Sequence, residues 1–105
     1  MTLSDWSEHP AARAELLAAA DRLPIDAASM LIDAAEGAVE DVLARPDAWP
    51  ALATAGTNAT IRRRSIRPFR MSVVYVVAHQ RVRVLAYAHE RRRPGYWASR
   101  VQDFT

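Results

Sequence analysis

Apolar positions change their period once along this chain. From residue 10 to residue 45 they recur at helical spacing, and from residue 60 onward they follow the spacing of strands. Leu3–Ser7 reads as a short strand ahead of the helices. Pro10 suits the first turn of a helix, where its missing N–H would have no intrahelical partner anyway. Leu16, Ala20 and Leu23 then fall at i, i+4 and i+7, on one face, and Pro24 ends the run. Asp26 is the expected N-cap of a second helix, with Leu31, Ala35, Ala38 and Val42 on its inner stripe. Arg45 precedes Pro46, a position that disfavours helical backbone, so this helix stops there. The connection around Pro24-Ile25 is too short for anything but an antiparallel helical hairpin. Gly37 sits mid-helix at a cost of about 1 kcal/mol relative to alanine, which a close approach of the first helix would offset.

Pro46 to Ala59 has no period and contains two prolines, Gly56 and Asn58, so it is expected to be a long loop pinned by Trp49 and Leu52. Three strands follow, Ile61–Pro68, Arg70–Ala78 and Val82–His89, the last two joined through His79-Gln80-Arg81 as a hairpin. Residues 73–77 are apolar on both parities, which marks a central strand, and Val74 and Val76 are expected beneath the helices. In the last strand, strict alternation directs Val82, Val84, Ala86 and Ala88 toward the helices. The same alternation leaves Arg81, Arg83, Leu85, Tyr87 and His89 on an open face. The expected fold is α+β: an N-terminal short strand and a helical hairpin packed on one face of a C-terminal antiparallel sheet, in the order β-α-α-β-β-β, as one domain over residues 1–105.

With 105 residues, one modest core is expected. The absence of cysteine excludes disulfides and thiolate metal sites. The first residues carry no basic lead and no apolar core of a secretory signal, and no apolar run approaches the roughly 18 residues of a membrane helix. The expectation is a cytoplasmic protein with no membrane association.

Charge adds the next constraint. All fourteen basic residues are arginine, giving a net charge of +2. That small total hides a division: residues 1–55 carry ten acids against three arginines, while residues 56–105 carry eleven arginines against Glu90 and Asp103. Arginine stays protonated and forms bidentate contacts with phosphate and carboxylate. The basic set of Arg62, Arg63, Arg64, Arg67, Arg70, Arg81, Arg83, Arg91, Arg92, Arg93 and Arg100 is either a phosphate-binding surface or a face neutralised by solvent or a protein partner. Tyr87, Tyr96 and Trp97 are interleaved with it and could stack bases, whereas Tyr75 falls in the core pattern.

His9, His79 and His89 lack metal-ligand spacing, and no carboxylate cluster joins them, so no metal and no cofactor are expected. His89 ends the last strand beside Arg91–Arg93. It is either a structural histidine or the chain's best-placed proton-transfer group, imidazole being the side chain that ordinarily titrates near neutrality. No phosphate-binding glycine loop or nucleophile elbow occurs, and paired carboxylates are missing from the basic half.

Three segments carry a family resemblance. They are Ile61-Arg-Arg-Arg-Ser-Ile-Arg-Pro-Phe-Arg-Met-Ser-Val-Val-Tyr-Val-Val-Ala78, Val82-Arg-Val-Leu-Ala-Tyr-Ala-His89 and Arg91-Arg-Arg-Pro-Gly-Tyr-Trp97. Together they resemble the RelE/ParE superfamily of bacterial type II toxin–antitoxin toxins. The resemblance implies a RelE-like fold, a cognate antitoxin encoded next door, and one of two targets. RelE-like toxins cleave mRNA on the ribosome; ParE-like toxins inhibit DNA gyrase without cutting nucleic acid. Under the nuclease reading the catalytic candidates are His89, Arg70, Arg91 and Tyr96, with Arg62, Arg64, Arg83, Arg92 and Arg93 holding RNA phosphates. A non-toxic basic nucleic-acid-binding module is the remaining alternative.

Overall fold

The computed structural model describes residues 2–52 and 59–104, and the side chains through residue 102. The protein is α+β. Its elements are β1 (Trp6–Glu8), α1 (Pro10–Asp21), α2 (Ile25–Ala44), β2 (Ala51–Leu52), β3 (Ile61–Ile66), β4 (Met71–Ala78), β5 (Arg81–His89) and a C-terminal 3-10 helix, Ala98–Phe104. The sheet order is β1-β5-β4-β3-β2. The three long strands are antiparallel neighbours, as their alternation implies, and β1 lies parallel to β5, Trp6 opposite Val82. Part of the expected long loop forms the two-residue strand β2, paired with β3; residues 53–58 lie outside the described residues.

The helical hairpin covers one sheet face. Leu16, Leu31, Ala35, Ala38 and Val42 are buried against Val73, Tyr75, Val82 and Val84, so the helical stripes read from the sequence are the packed ones. Helix α2 begins two residues earlier than expected: Pro24 is its N-cap, with no side-chain cap bond, and Asp26 lies in the first turn, where its charge suits the helix dipole. Gly37 is not a close-approach glycine, because a Cβ there would meet nothing within 4 Å.

The other face departs from expectation. A bulge in β5 breaks the register: Val74 pairs with Ala86 and Tyr75 with Val84, which leaves Leu85 as the extra residue. The strand's parity therefore inverts. Val82 and Val84 face the helices and Leu85 faces away, as expected, but after the bulge Tyr87 faces the helices, with His89 on the same parity opposite Met71, while Ala86 and Ala88 turn to the far side. Nor is that side open. Ile61, Val74, Val76, Leu85, Ala86 and Trp97 form a second buried cluster, with Ala98 and Val101 packed on it. Val74 and Val76 are thus in the central strand, but under the C-terminal segment rather than under the helices.

One acid fastens that segment. Glu15 of α1 accepts hydrogen bonds from Tyr96 Oη at 2.6 Å, Arg100 Nη1 at 2.9 Å and Arg92 Nη1 at 3.1 Å. Arg100 Nη1 also donates to the carbonyl of Leu85 at 2.9 Å, pairing a backbone group at the bulge.

Candidate functional site

Strand alternation sorts the basic run of β3. Arg62 and Arg64 pair across from Tyr75 and Val73, on the helix face, whereas Arg63 pairs across from Val74, on the other. Arg62 Nη1 donates to the Trp49 carbonyl at 2.8 Å. Arg64 reaches Asp41 of α2 at 2.9 Å and lies over the Trp49 ring, 4.5 Å from its centroid. Arg83 staples the parallel edge, donating to the carbonyl of Glu8 at 2.8 Å and to Ser7 Oγ at 3.3 Å. Arg92 pairs with Glu15 and stacks on Tyr96, 3.9 Å from the ring centroid. Four of the expected phosphate binders, Arg62, Arg64, Arg83 and Arg92, therefore have partners within the fold. The fifth, Arg93, has no ion pair among the described residues.

Several exposed cations gather at one end of the sheet, while Arg81 is exposed at the other. Arg67 and Arg70 flank the β3–β4 turn, and Arg91 and Arg93 follow the end of β5. Arg70 adopts a left-handed backbone (φ 51°), and its carbonyl accepts the amide of Glu90 at 2.9 Å, which ties the turn to the end of β5. With Arg63 these four make no ion pair with a described residue. His89 sits among them, opposite Met71. Its Nδ1 accepts the amide of Arg91 at 3.1 Å. In the neutral ring this bond assigns the proton to Nε2 and leaves that nitrogen as the one available to a ligand.

Beside His89 lies a cleft of about 270 Å³ on the face away from the helices. Ser72, Val74 and Ala88 form its floor, Trp97 and Tyr96 one wall, and Arg63, Arg93 and His89 its rim. Ser72 is buried, at 4 % exposure. Arg67 and Arg70 line a neighbouring hollow that shares Glu90 with this cleft. The arrangement can bind an anion through several guanidinium groups, seat a flat ring against apolar side chains, and move a proton at one imidazole.

The four catalytic candidates are not equivalent. His89, Arg70 and Arg91 share the basic end of the sheet. Tyr96 contributes its ring to the cleft wall, but its hydroxyl is held by Glu15. Burial and that carboxylate push the phenol well above its ordinary range. Arg63 and Trp97, which the sequence marks only as members of the basic and aromatic sets, line the same cleft, Arg67 lies in the hollow next to it, and Ser72 is a lining residue outside the sequence candidates. Alternation along β3 and β4 is the signal that could have found Arg63 and Ser72.

Among the described residues, no three of His, Asp and Glu come together as a metal site would need, and no helix is long and apolar enough to cross a membrane. Searches against models of known protein families and against curated proteins find no match to this chain.

Proposed function

We propose that this chain is the toxin of a type II toxin–antitoxin pair of the RelE/ParE superfamily, acting as a RelE-like, ribosome-dependent mRNA endonuclease. One observation carries the reading: His89 stands beside Arg63, Arg67, Arg70, Arg91 and Arg93, none of them ion-paired with a described residue, at the mouth of a cleft. The β-α-α-β-β-β order and the sequence segments described above are consistent with it. In the proposed reaction water takes the proton of the ribose 2′-hydroxyl as its oxygen attacks the adjacent phosphorus, the P–O5′ bond breaks, and the departing 5′-oxygen takes up a proton. His89, as the imidazolium, supplies that proton from Nε2 once its Nδ1 is protonated and the bond from the Arg91 amide is released. Arg70 and Arg91 hold the charge that builds on the phosphate, without themselves transferring protons, since arginine does not deprotonate. No metal or cofactor takes part in this scheme. The partners are the ribosome with its mRNA and a cognate antitoxin.

A second reading, a ParE-like inhibitor of DNA gyrase without nuclease activity, draws on a specific observation. The Tyr96 hydroxyl is committed to Glu15, and Arg62 and Arg64 turn toward the helices, so several of the groups a nuclease would use are engaged elsewhere. One experiment separates the two. The wild type, His89→Gln and Arg70→Ala are expressed in cells, new RNA ends are mapped, and supercoiling by gyrase is assayed alongside. The nuclease reading expects new RNA ends from the wild type and about a 100-fold loss of cleavage in His89→Gln, with a comparable loss in Arg70→Ala. Full toxicity of His89→Gln, with no new RNA ends in the wild type, would overturn the nuclease and favour gyrase.

A further inference from the structure

On the helix side, between β1, α1 and α2, lies a second groove of about 300 Å³. Its floor is apolar, formed by Leu16, Val39 and Leu43, and Trp6 stands beside it, 39 % exposed. Glu36 and Glu40, one turn apart on α2, line it and are exposed, with no ion pair to a described residue. Arg13 also lines it, but its guanidinium is paired with Glu8 at 2.8 Å. The groove therefore combines an aromatic ring, apolar walls and two carboxylates without an ion pair to a described residue, Glu36 feeling the more distant charge of Arg13. That combination is suited to a guanidinium on a partly apolar stem.

The same chemistry occurs twice inside the fold. Arg64 lies between Asp41 and the Trp49 ring, and Arg92 between Glu15 and the Tyr96 ring. Both arginines come from the C-terminal half and both acids from the helices. Among the described charges without an ion pair, the acids Asp26, Asp33, Glu36 and Glu40 lie along α2, whose C-cap is Arg45. Arg63, Arg67, Arg70, Arg91 and Arg93 lie at the cleft end of the sheet around a single acid, Glu90. The groove is on the helix side and the cleft on the other face, so the groove is not positioned to receive the cleft-side arginines of its own chain.

We infer that the β1–α1–α2 groove binds the arginine-rich sheet end of a second copy of this chain, giving head-to-tail association. The two surfaces differ, so the interface is heterologous and leaves a free groove at one end and a free arginine end at the other. Each contact covers the His89 cleft of one copy, and the charged part of the attraction weakens with salt. This inference does not depend on the toxin reading, because its test measures mass rather than activity.

The test is sedimentation of the full chain at about 10 mM and about 1 M salt, where the Debye length falls from roughly 30 Å to 3 Å. The wild type is expected to exceed the monomer mass with rising concentration at low salt and to return to monomer at high salt. Two variants dissect the contact: Glu36→Gln with Glu40→Gln, and Arg67→Gln with Arg93→Gln. Each alone should remain monomeric at low salt. Mixed in equal amounts they should form a dimer that does not grow, since one retains an arginine end and the other a groove. A wild type that stays monomeric at low salt, association indifferent to salt, or a mixture that stays monomeric or grows past dimer would overturn the inference. If the wild type is monomeric but a tetra-arginine peptide binds the groove, the occupant is a foreign cationic segment and the second copy is ruled out. The wild-type salt series needs no variant, so it decides the matter even if a variant chain fails to fold.

Discussion

Replacing Glu15 with glutamine removes one charge and almost no volume. Glu15 is 13 % exposed, and so is accessible to little screening water. Its strongest partner is Arg100, itself 15 % exposed and held at 2.9 Å. Loss of a buried pair's acid costs about 3–5 kcal/mol when the cation is left without compensation. Arg100 keeps its bond to the Leu85 carbonyl, which argues for the lower end. The Tyr96 bond at 2.6 Å becomes a neutral one and weakens by up to about 1 kcal/mol. Arg92 is 54 % exposed, so its share is under about 1 kcal/mol. The expected loss is about 3 kcal/mol, which lowers Tm by at least about 12 °C for a domain of this size. Urea and thermal denaturation measure it, and Arg92→Ala should cost less than about 1 kcal/mol in the same assay. Exchange of the backbone amides of Ala98 and Arg100, which bond to the carbonyls of Gly95 and Trp97, should quicken in Glu15→Gln. A change below about 0.5 kcal/mol, or an Arg92→Ala variant as damaged as Glu15→Gln, would refute the claim that this carboxylate fastens the C-terminal segment through Arg100.

Three further outcomes follow from the same geometry. Gly37→Ala should raise stability by about 0.5–1 kcal/mol, since nothing lies within 4 Å of the added methyl and helical glycine carries an entropic penalty; equilibrium unfolding measures the gain, and a loss would mean that α1 packs closer than described. His79 and Gln80 form the β4–β5 turn with φ of 54° and 63°, both left-handed, so Gln80→Gly should also stabilise, by roughly 0.5–1 kcal/mol, in thermal melts. Burial raises the Tyr75 phenol to about 12, and Tyr87 and Tyr96 are raised too, first by burial and then by Glu8 and Glu15. A raised folded-state value means that the folded state holds its proton longer than the unfolded state. Stability from these groups is therefore complete below about pH 10 and is lost as pH climbs through the raised values. Phenolate absorbance should appear together with unfolding; phenolate appearing near pH 10 in the still-folded protein would contradict the burial.

Much of the fold is legible because its period is long and regular. The α2 stripe and the three long strands follow from spacing alone. The bulge is not legible, because Leu85 and Ala86 are both apolar and suit either face, so nothing in the residue types marks the inversion. In the C-terminal segment the charged and aromatic residues mask a packing role, for Trp97, Ala98 and Val101 complete a second core. The site is half legible. A run such as Arg62-Arg63-Arg64 looks like one surface, yet a strand divides it between two faces. Which arginine meets Asp41 or Glu15 depends on where the helices pass, and no local pattern carries that information.

The Glu15–Arg100 link spans 85 residues, and β1 lies against β5 across most of the chain. A ribosome that has just released α1 and α2 has exposed two amphipathic helices with no sheet to lie on, because β3, β4 and β5 all emerge later. Contacts this distant in sequence form slowly. The second core needs Trp97 and the turn after it, so it cannot assemble before those residues leave the exit tunnel. A chain stalled or clipped short of residue 97 would keep the apolar far face of the sheet uncovered and be a natural client for chaperones and proteases.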